Sequence, residues 1–171
     1  MRLTHLSFYF AYGSNMDPRQ IIRRCPSARF HSKAILHDHK LDFTLTSQRR
    51  KCGVANVVSC ETSRVIGVIY RINSSHDWEA LDAAEGFEVG KKRGNRYTRS
   101  LISTTAINKK TPDLLAFIYI GLIEKFPPPP SKAYLDQMIY GAYHWGLPAE
   151  YIQGLIKIKR SLKTEGRGEL E

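Results

Sequence analysis

"YFAYGSNM" at residues 9–16 decides how the fold begins. Its aromatic residues are typical of a β-strand, which we expect over residues 6–12. The strand ends at the glycine, serine and asparagine of residues 13–15, and a helix follows with Asp17 as N-cap and Pro18 in its first turn. A glycine-centred turn between a strand and a helix exposes backbone N–H groups that can bind a carboxylate or an oxyanion. The turn alone leaves two interpretations open, a ligand-binding turn and a plain turn with a helix cap.

The composition excludes several classes of protein. The chain has 171 residues, 42% hydrophobic and 11% aromatic, as expected for one globular domain with a substantial core. No apolar run reaches the roughly 18 to 20 residues of a membrane helix, and the N-terminus lacks the sustained apolar segment of a signal peptide, so we expect a soluble protein. The formal net charge of +10 predicts an acidic partner, either nucleic acid or a small carboxylate substrate.

The cysteines indicate a compartment. Cys25, Cys52 and Cys60 are odd in number and lack CxxC spacing. This pattern predicts neither a zinc site nor a disulfide framework. Reduced thiols in a cytoplasmic protein are the expectation.

The rest of the chain alternates strand-like and helix-like segments. Three short strands are expected at 41–46, 53–59 and 65–72, and two more at 97–107 and 114–120. Helices are expected at 75–85, 131–145 and from 149 onward. Their predicted boundary residues are Ser74 or Ser75, Gly86, Ser131 and Gly146. Several short strands in succession predict an antiparallel meander or barrel.

A glutamate near the end of the expected helix 75–85 lies on its apolar face. Trp78 and Leu81 mark that face, and Glu85 follows them by seven and four residues. Burial and the negative end of the helix dipole both raise a carboxyl pKa, toward the range of a general acid/base. Asp82 falls near the same face and is a candidate to orient Glu85 or the helix end. The alternative is a glutamate that turns to solvent at a frayed helix end.

Two motifs together carry a resemblance to a known family. "YGSNM" at 12–16, directly after an N-terminal strand, and "LDAAEG" at 81–86 resemble the γ-glutamylcyclotransferase family, whose fold is also described as AIG2-like. The same order is kept from Phe8 to Tyr151 by "HKLDF" at 39–43, "CGVANVV" at 52–58, "GVIYRI" at 67–72 and "GLPAEY" at 146–151. The resemblance implies an α+β single domain, with a small, mixed, mostly antiparallel β-barrel-like core and flanking helices. We expect this domain over residues 1–160, followed by a polar tail at 161–171.

The resemblance also implies an activity. Members of the family release an amine or amino acid from a γ-glutamyl compound as the glutamyl part closes to 5-oxoproline, a reaction of glutathione metabolism. Carried over by motif, Glu85 takes a proton from the α-ammonium group so that the amine can attack the γ-carbonyl carbon, and then returns a proton to the leaving amine. The turn binds the γ-glutamyl part and stabilises charge on the carbonyl oxygen. The implied substrate-binding residues are Tyr12, Gly13, Ser14, Asn15, Tyr97 and Tyr119. No metal or cofactor is implied.

The sequence departs from the family in two places. The segment "FEVGKKRGNR" at 87–96 is longer and more basic than the corresponding family loop, and either binds an acidic part of the substrate or is a solvated loop. Asn15 and Met16 stand where the glutathione-specific branch has leucine and tryptophan. This difference favours γ-glutamyl amino acids or γ-glutamylamines as substrates.

Two alternatives remain open. The first is a non-catalytic basic binding module on the same fold, in which the basic tracts at 49–51, 91–93 and 109–110 bind nucleic acid or another anionic ligand. Aromatic residues do not interleave these tracts, so the sequence favours a small γ-glutamyl substrate over nucleic acid. The second is a cyclotransferase that removes a γ-glutamyl group from a specialised metabolite. The sequence indicates neither the leaving amine nor the oligomeric state.

Overall fold

The structure is a computed structural model that describes residues 7–91, 94–108 and 113–162. Its five strands are β1 Ser7–Ala11, β2 Arg29–Ser47, β3 Cys52–Ile72, β4 Tyr97–Ala106 and β5 Leu114–Gly121. They form a closed barrel in the order β1-β3-β2-β4-β5. Neighbouring strands are antiparallel except β1 and β5, whose parallel pairing closes the barrel. The predicted α+β single domain with a mixed, mostly antiparallel barrel is therefore confirmed.

Helices cover the barrel, and local side chains cap the N-termini of three of them. A short 3-10 helix at Ser14–Met16 precedes α1 Pro18–Arg24, and the later helices are α2 Ser75–Glu85, α3 Lys132–His144 and α4 Ala149–Ser161. The predicted N-caps Asp17, Ser74 and Ser131 each accept a hydrogen bond from a backbone N–H two or three residues further along. Gly86 ends α2 in the left-handed conformation, with φ of 65°, which favours glycine.

Two long strands replace the three short ones expected between residues 28 and 72. β2 contains the segment 41–46, and β3 runs through both 53–59 and 65–72. The expectation was wrong because the polar residues 60–64 look like a break in the sequence, whereas they lie in the solvent-facing part of one continuous strand. Three register shifts let the β2–β3 ribbon bend without ending either strand.

The core fills the barrel and the space under α3. Phe10, Ile69, Leu81 and Met138 are fully buried in it, and they come from β1, β3, α2 and α3 respectively. The proline-rich segment 127–130 runs against the start of β3, where the Gly53 N–H donates to the Pro129 carbonyl at 3.0 Å. The barrel, α2 and α3 thus meet around the N-terminal turn.

Two further expectations concern the C-terminal tail and membrane-spanning helices. Most of the predicted polar tail at 161–171 lies outside the described residues, and the domain limit at residue 160 stays a prediction. Within the part that the structure describes, no helix is long and apolar enough to cross a membrane.

Candidate active site

The turn after β1 is held tightly against the barrel. The N–H groups of Met16 and Asp17 donate to the carbonyls of Gly13 and Ser14 at 3.0 and 3.1 Å, which closes the 3-10 helix. The first N–H groups of such a helix have no partner inside it, and the Ser14 N–H interacts with the Tyr134 hydroxyl instead. A Cβ atom at Gly13 would lie 3.2 Å from the Tyr134 hydroxyl oxygen, so glycine allows the turn to approach the barrel closely.

Glu85, the last residue of α2, faces this turn. Its Oε1 accepts hydrogen bonds from Nδ2 of Asn15 at 3.1 Å and from Nη1 of Arg24 at 3.2 Å. Its side chain is only 16% exposed. The spacing from Trp78 and Leu81 therefore predicted its inward direction correctly.

Two opposing effects set the acidity of Glu85. Burial raises its pKa, whereas the Arg24 guanidinium, the Asn15 amide and the charge of Arg50 lower it, and the net pKa lies above the ordinary value for glutamate. A carboxyl group with a raised pKa is a stronger base once it is ionised. The hydrogen bonds from Asn15 and Arg24 hold its carboxylate in a fixed position.

Asn15 connects the turn to Glu85. Besides Glu85, its Nδ2 donates to the Tyr9 hydroxyl at 2.9 Å, and its Oδ1 accepts from Gln20 and Arg24, both at 2.8 Å. Every polar atom of this buried amide thus has a partner within the protein. Asn15 consequently orients the Glu85 carboxylate.

Asp82 does not orient Glu85. Its carboxylate accepts hydrogen bonds from Arg99 Nη1 at 3.1 and 2.9 Å, and from the Tyr119 hydroxyl at 2.5 Å. Three residues along a helix rotate a side chain by about 60° from the starting direction, so Asp82 faces β4 and β5 whereas Glu85 faces the turn. Asp82 therefore holds the wall of the site in place.

A cavity of about 610 Å³ opens between the turn, α2 and the barrel. The residues that the sequence assigned to catalysis or substrate binding all line this cavity: Tyr12, Gly13, Ser14, Asn15, Glu85, Tyr97 and Tyr119. The tyrosine hydroxyls are bound to the protein, since Tyr12 donates to the Tyr119 carbonyl at 2.6 Å and Tyr97 to the Ala55 carbonyl at 3.4 Å. The roles of these residues in binding and catalysis stay predictions.

Sequence reasoning missed several polar residues that line or support the cavity. Arg24 and Arg50 line it, and Gln20 and Gln137 support it through hydrogen bonds. Gln20 and Arg24 are four residues apart and share one face of α1, a signal that could have identified them. Arg50 and Gln137 are 87 positions apart, and no local pattern connects them.

Among the described residues of the basic loop at 90–96, one lines the cavity. Arg96 lines the cavity and forms an ion pair with Glu124 at 3.6 Å. Residues 92 and 93 of the loop lie outside the described part of the chain. The proposed contact of this loop with an acidic part of the substrate stays a prediction.

The barrel carries a partly buried carboxylate beside a glycine turn, and both line a cavity of about 610 Å³. These features together define the class of the protein as a small-molecule enzyme.

The AIG2-like family model matches residues 64–155. Bovine γ-glutamylcyclotransferase is 33% identical over 155 residues, which are 88% of this chain and 78% of that protein, and the human γ-glutamylcyclotransferase gives the same values. A solved structure of a γ-glutamyl cyclotransferase superimposes with a TM-score of 0.78 at 30% identity, covering 88% of this chain and 86% of that one. The chain belongs to the γ-glutamylcyclotransferases of the AIG2-like family.

Proposed function

We propose that the protein releases an amine or amino acid from a γ-glutamyl compound and forms 5-oxoproline, with Glu85 as general acid/base. The observation that carries this proposal is the position of the Glu85 carboxylate at the cavity wall, hydrogen-bonded to Asn15 of the turn and to Arg24. The γ-glutamylcyclotransferase relatives support the reaction type.

The reaction is an intramolecular aminolysis. Glu85 accepts a proton from the α-ammonium group, and the freed amine attacks the γ-carbonyl carbon to form a five-membered ring. The bond between that carbon and the leaving nitrogen then breaks as Glu85 returns a proton to the leaving nitrogen. Over the whole reaction the α-nitrogen loses two protons and the leaving nitrogen gains two, so the amine departs as an ammonium ion.

The turn supplies the electrostatic part of the mechanism. During attack the γ-carbonyl oxygen becomes negatively charged, and fixed N–H donors stabilise such an oxyanion without having to reorganise. The Asn15 N–H, in the first turn of the 3-10 helix, fits this role because the helix itself does not use it, whereas the Ser14 N–H already has the Tyr134 hydroxyl as a partner. Both nucleophile and electrophile belong to one molecule, so binding the extended γ-glutamyl chain in a folded form accelerates ring closure.

Product analysis of the wild-type protein tests this reaction. The protein is incubated with γ-glutamylalanine, γ-glutamylethylamide and glutathione in parallel, and 5-oxoproline and free glutamate are measured by mass spectrometry. We expect 5-oxoproline from at least one compound, with an equal amount of released amine. Free glutamate as the main product would indicate hydrolysis, and either that result or no product from all three compounds would contradict the proposal.

A further inference from the structure

Arg50 belongs to the basic tract 49–51, and the proposed reaction uses none of the charges in this tract. It lies in the tight connection between β2 and β3, where its backbone N–H donates to Ser47 Oγ at 3.2 Å. The sequence suggested a solvated loop or a phosphate-binding patch here. The structure instead places Arg50 in the wall of the cavity, and Arg49 lines the same cavity with a largely exposed side chain.

The Arg50 guanidinium is held in place by neutral groups. Its Nη2 donates to Oε1 of Gln20 and to Oε1 of Gln137, both at 2.8 Å. The Nε2 of Gln20 donates to Ser14 and Asn15, so the oxygen of that amide must face Arg50. Arg50 is therefore fixed relative to the same turn that holds Glu85.

The positive charge of Arg50 has no carboxylate partner among the described residues. Of the other arginines around the cavity, Arg24 is paired with Glu85 at 3.2 Å and Arg96 with Glu124 at 3.6 Å, but no ion pair in this part of the chain includes Arg50. Both hydrogen bonds to the glutamines use Nη2, and among the described residues none is made by Nε or Nη1. These two nitrogens lie on opposite edges of the guanidinium, so each can donate a single hydrogen bond to a ligand. Burial also lowers the pKa of Arg50, as expected for a cation without an anionic partner.

We propose that Arg50, held by Gln20 and Gln137, is a carboxylate-binding subsite of the cavity and determines which γ-glutamyl compounds bind. A guanidinium that is held in place can donate a charge-assisted hydrogen bond to a carboxylate with little further loss of conformational freedom. This inference rests on the proposed function, because the carboxylate belongs to the γ-glutamyl substrate. The carboxylate has two sources, the α-carboxylate of the glutamyl part and the carboxylate of a leaving amino acid.

Calorimetric binding separates these sources. Isothermal titration is performed on Glu85→Gln protein, which removes the proposed base so that the ligand is not consumed. γ-Glutamylalanine carries both carboxylates, whereas γ-glutamylethylamide lacks the one on the leaving amine. Each ligand is titrated into the Glu85→Gln protein, into the same protein with Arg50→Gln, and into a matched control with Arg49→Gln, which removes the same charge from the neighbouring residue.

We expect Arg50→Gln to weaken binding of γ-glutamylalanine by about tenfold or more, because hydrogen bonds to charged groups are worth at least that factor. Arg49→Gln is expected to have a much smaller effect. An equal loss with γ-glutamylethylamide would assign Arg50 to the α-carboxylate, and an unchanged affinity for γ-glutamylethylamide would assign it to the leaving amino acid. Equal effects of the two arginine substitutions, or no binding of either ligand to the Glu85→Gln protein, would overturn the subsite.

Two controls keep the result interpretable. Arg50→Lys retains the charge but not the planar group that Gln20 and Gln137 hold, so it should bind γ-glutamylalanine more weakly than the parent even if Arg50→Gln does not fold. Full affinity in the lysine variant would contradict recognition by a guanidinium held by the two glutamines. Product analysis of wild-type protein with the same two ligands tests the reaction separately. Binding that depends on Arg50 without any 5-oxoproline from the wild-type protein would retain the subsite and reject the proposed function.

Discussion

Among the single residues around Glu85, Arg24 favours the ionised form of its carboxylate most strongly. It donates to the Glu85 carboxylate at 3.2 Å and lowers the pKa of that group against the larger effect of burial. In the proposed mechanism the ionised carboxylate is the base, so we expect activity to decrease as the pH falls through the pKa of Glu85. The low-pH limb of the activity profile therefore reports the balance between burial and Arg24.

Replacing Arg24 by glutamine should shift that limb to higher pH. The substitution removes the cation that favours the ionised form, so the pKa of Glu85 rises and more of the base is protonated at a given pH. The measurement is kcat/KM for 5-oxoproline release between pH 4 and pH 9, in wild type and variant. Arg23→Gln, in the same turn of α1, is the control and should leave the limb in place. A limb that moves to lower pH, or does not move, would show that Arg24 does not tune Glu85.

The sequence predicts site residues when their signal is local. Glu85 was identified because Trp78 and Leu81 lie within seven residues of it and define its helix face. Arg50 offered no such signal, because its partners Gln20 and Gln137 are 30 and 87 positions away and meet it only after α1 and α3 dock. Asp82 was misassigned because periodicity gives the side of a helix but not the strand opposite.

Among the contacts between secondary-structure elements, the packing of α3 on the N-terminal turn fixes the position of that turn. A Cβ atom at Gly141 of α3 would lie 2.5 Å from the carbonyl carbon of Met16 and 2.7 Å from the nitrogen of Asp17. Both contacts are to backbone, so the turn or the helix would have to move. The position of the N-terminal turn thus depends on a helix about 125 residues further along the chain.

Gly141→Ala should destabilise the protein and disturb the turn. Overpacking of this kind costs about 1–3 kcal/mol of unfolding free energy, more than alanine gains over glycine in a helix. Gly154→Ala in α4 is the matched control, because no described atom outside its own stretch of the helix lies within 4 Å of its Cβ position, and it should stabilise by up to about 1 kcal/mol. Chemical denaturation measures both effects. Equal stability changes in the two variants would contradict the close contact of α3 with the turn.

Elements were predictable where caps and turns mark them. Asp17, Ser74 and Ser131 cap their helices through hydrogen bonds within three residues, so the sequence contains the whole signal. The long strands β2 and β3 were divided in the prediction because their continuity depends on cross-strand pairing and bulges. Barrel closure by β1 and β5, which pair at Tyr9 and Phe117, also depends on residues far apart in sequence.

The net charge of the whole molecule should affect the rates at which charged substrates associate with it. The chain has a formal net charge of +10, and γ-glutamylalanine is an anion because it has two carboxylates and one ammonium group. Salt screens such long-range attraction, with a Debye length of about 10 Å at 0.1 M. We expect kcat/KM for γ-glutamylalanine to fall several-fold between about 0.02 and 0.5 M NaCl, and kcat/KM for the zwitterionic γ-glutamylethylamide to fall less. The same salt dependence for both compounds would contradict electrostatic attraction.

The most direct test of the central claim is kcat/KM for 5-oxoproline release by the Glu85→Gln protein. Glu79→Gln is the control, because Glu79 lies exposed on the same helix and undergoes the same chemical change. If Glu85 is the general acid/base, its substitution lowers kcat/KM by about 10²- to 10⁴-fold while the Glu79 variant keeps wild-type activity. A folded Glu85→Gln protein with the activity of the Glu79→Gln control would contradict the mechanism.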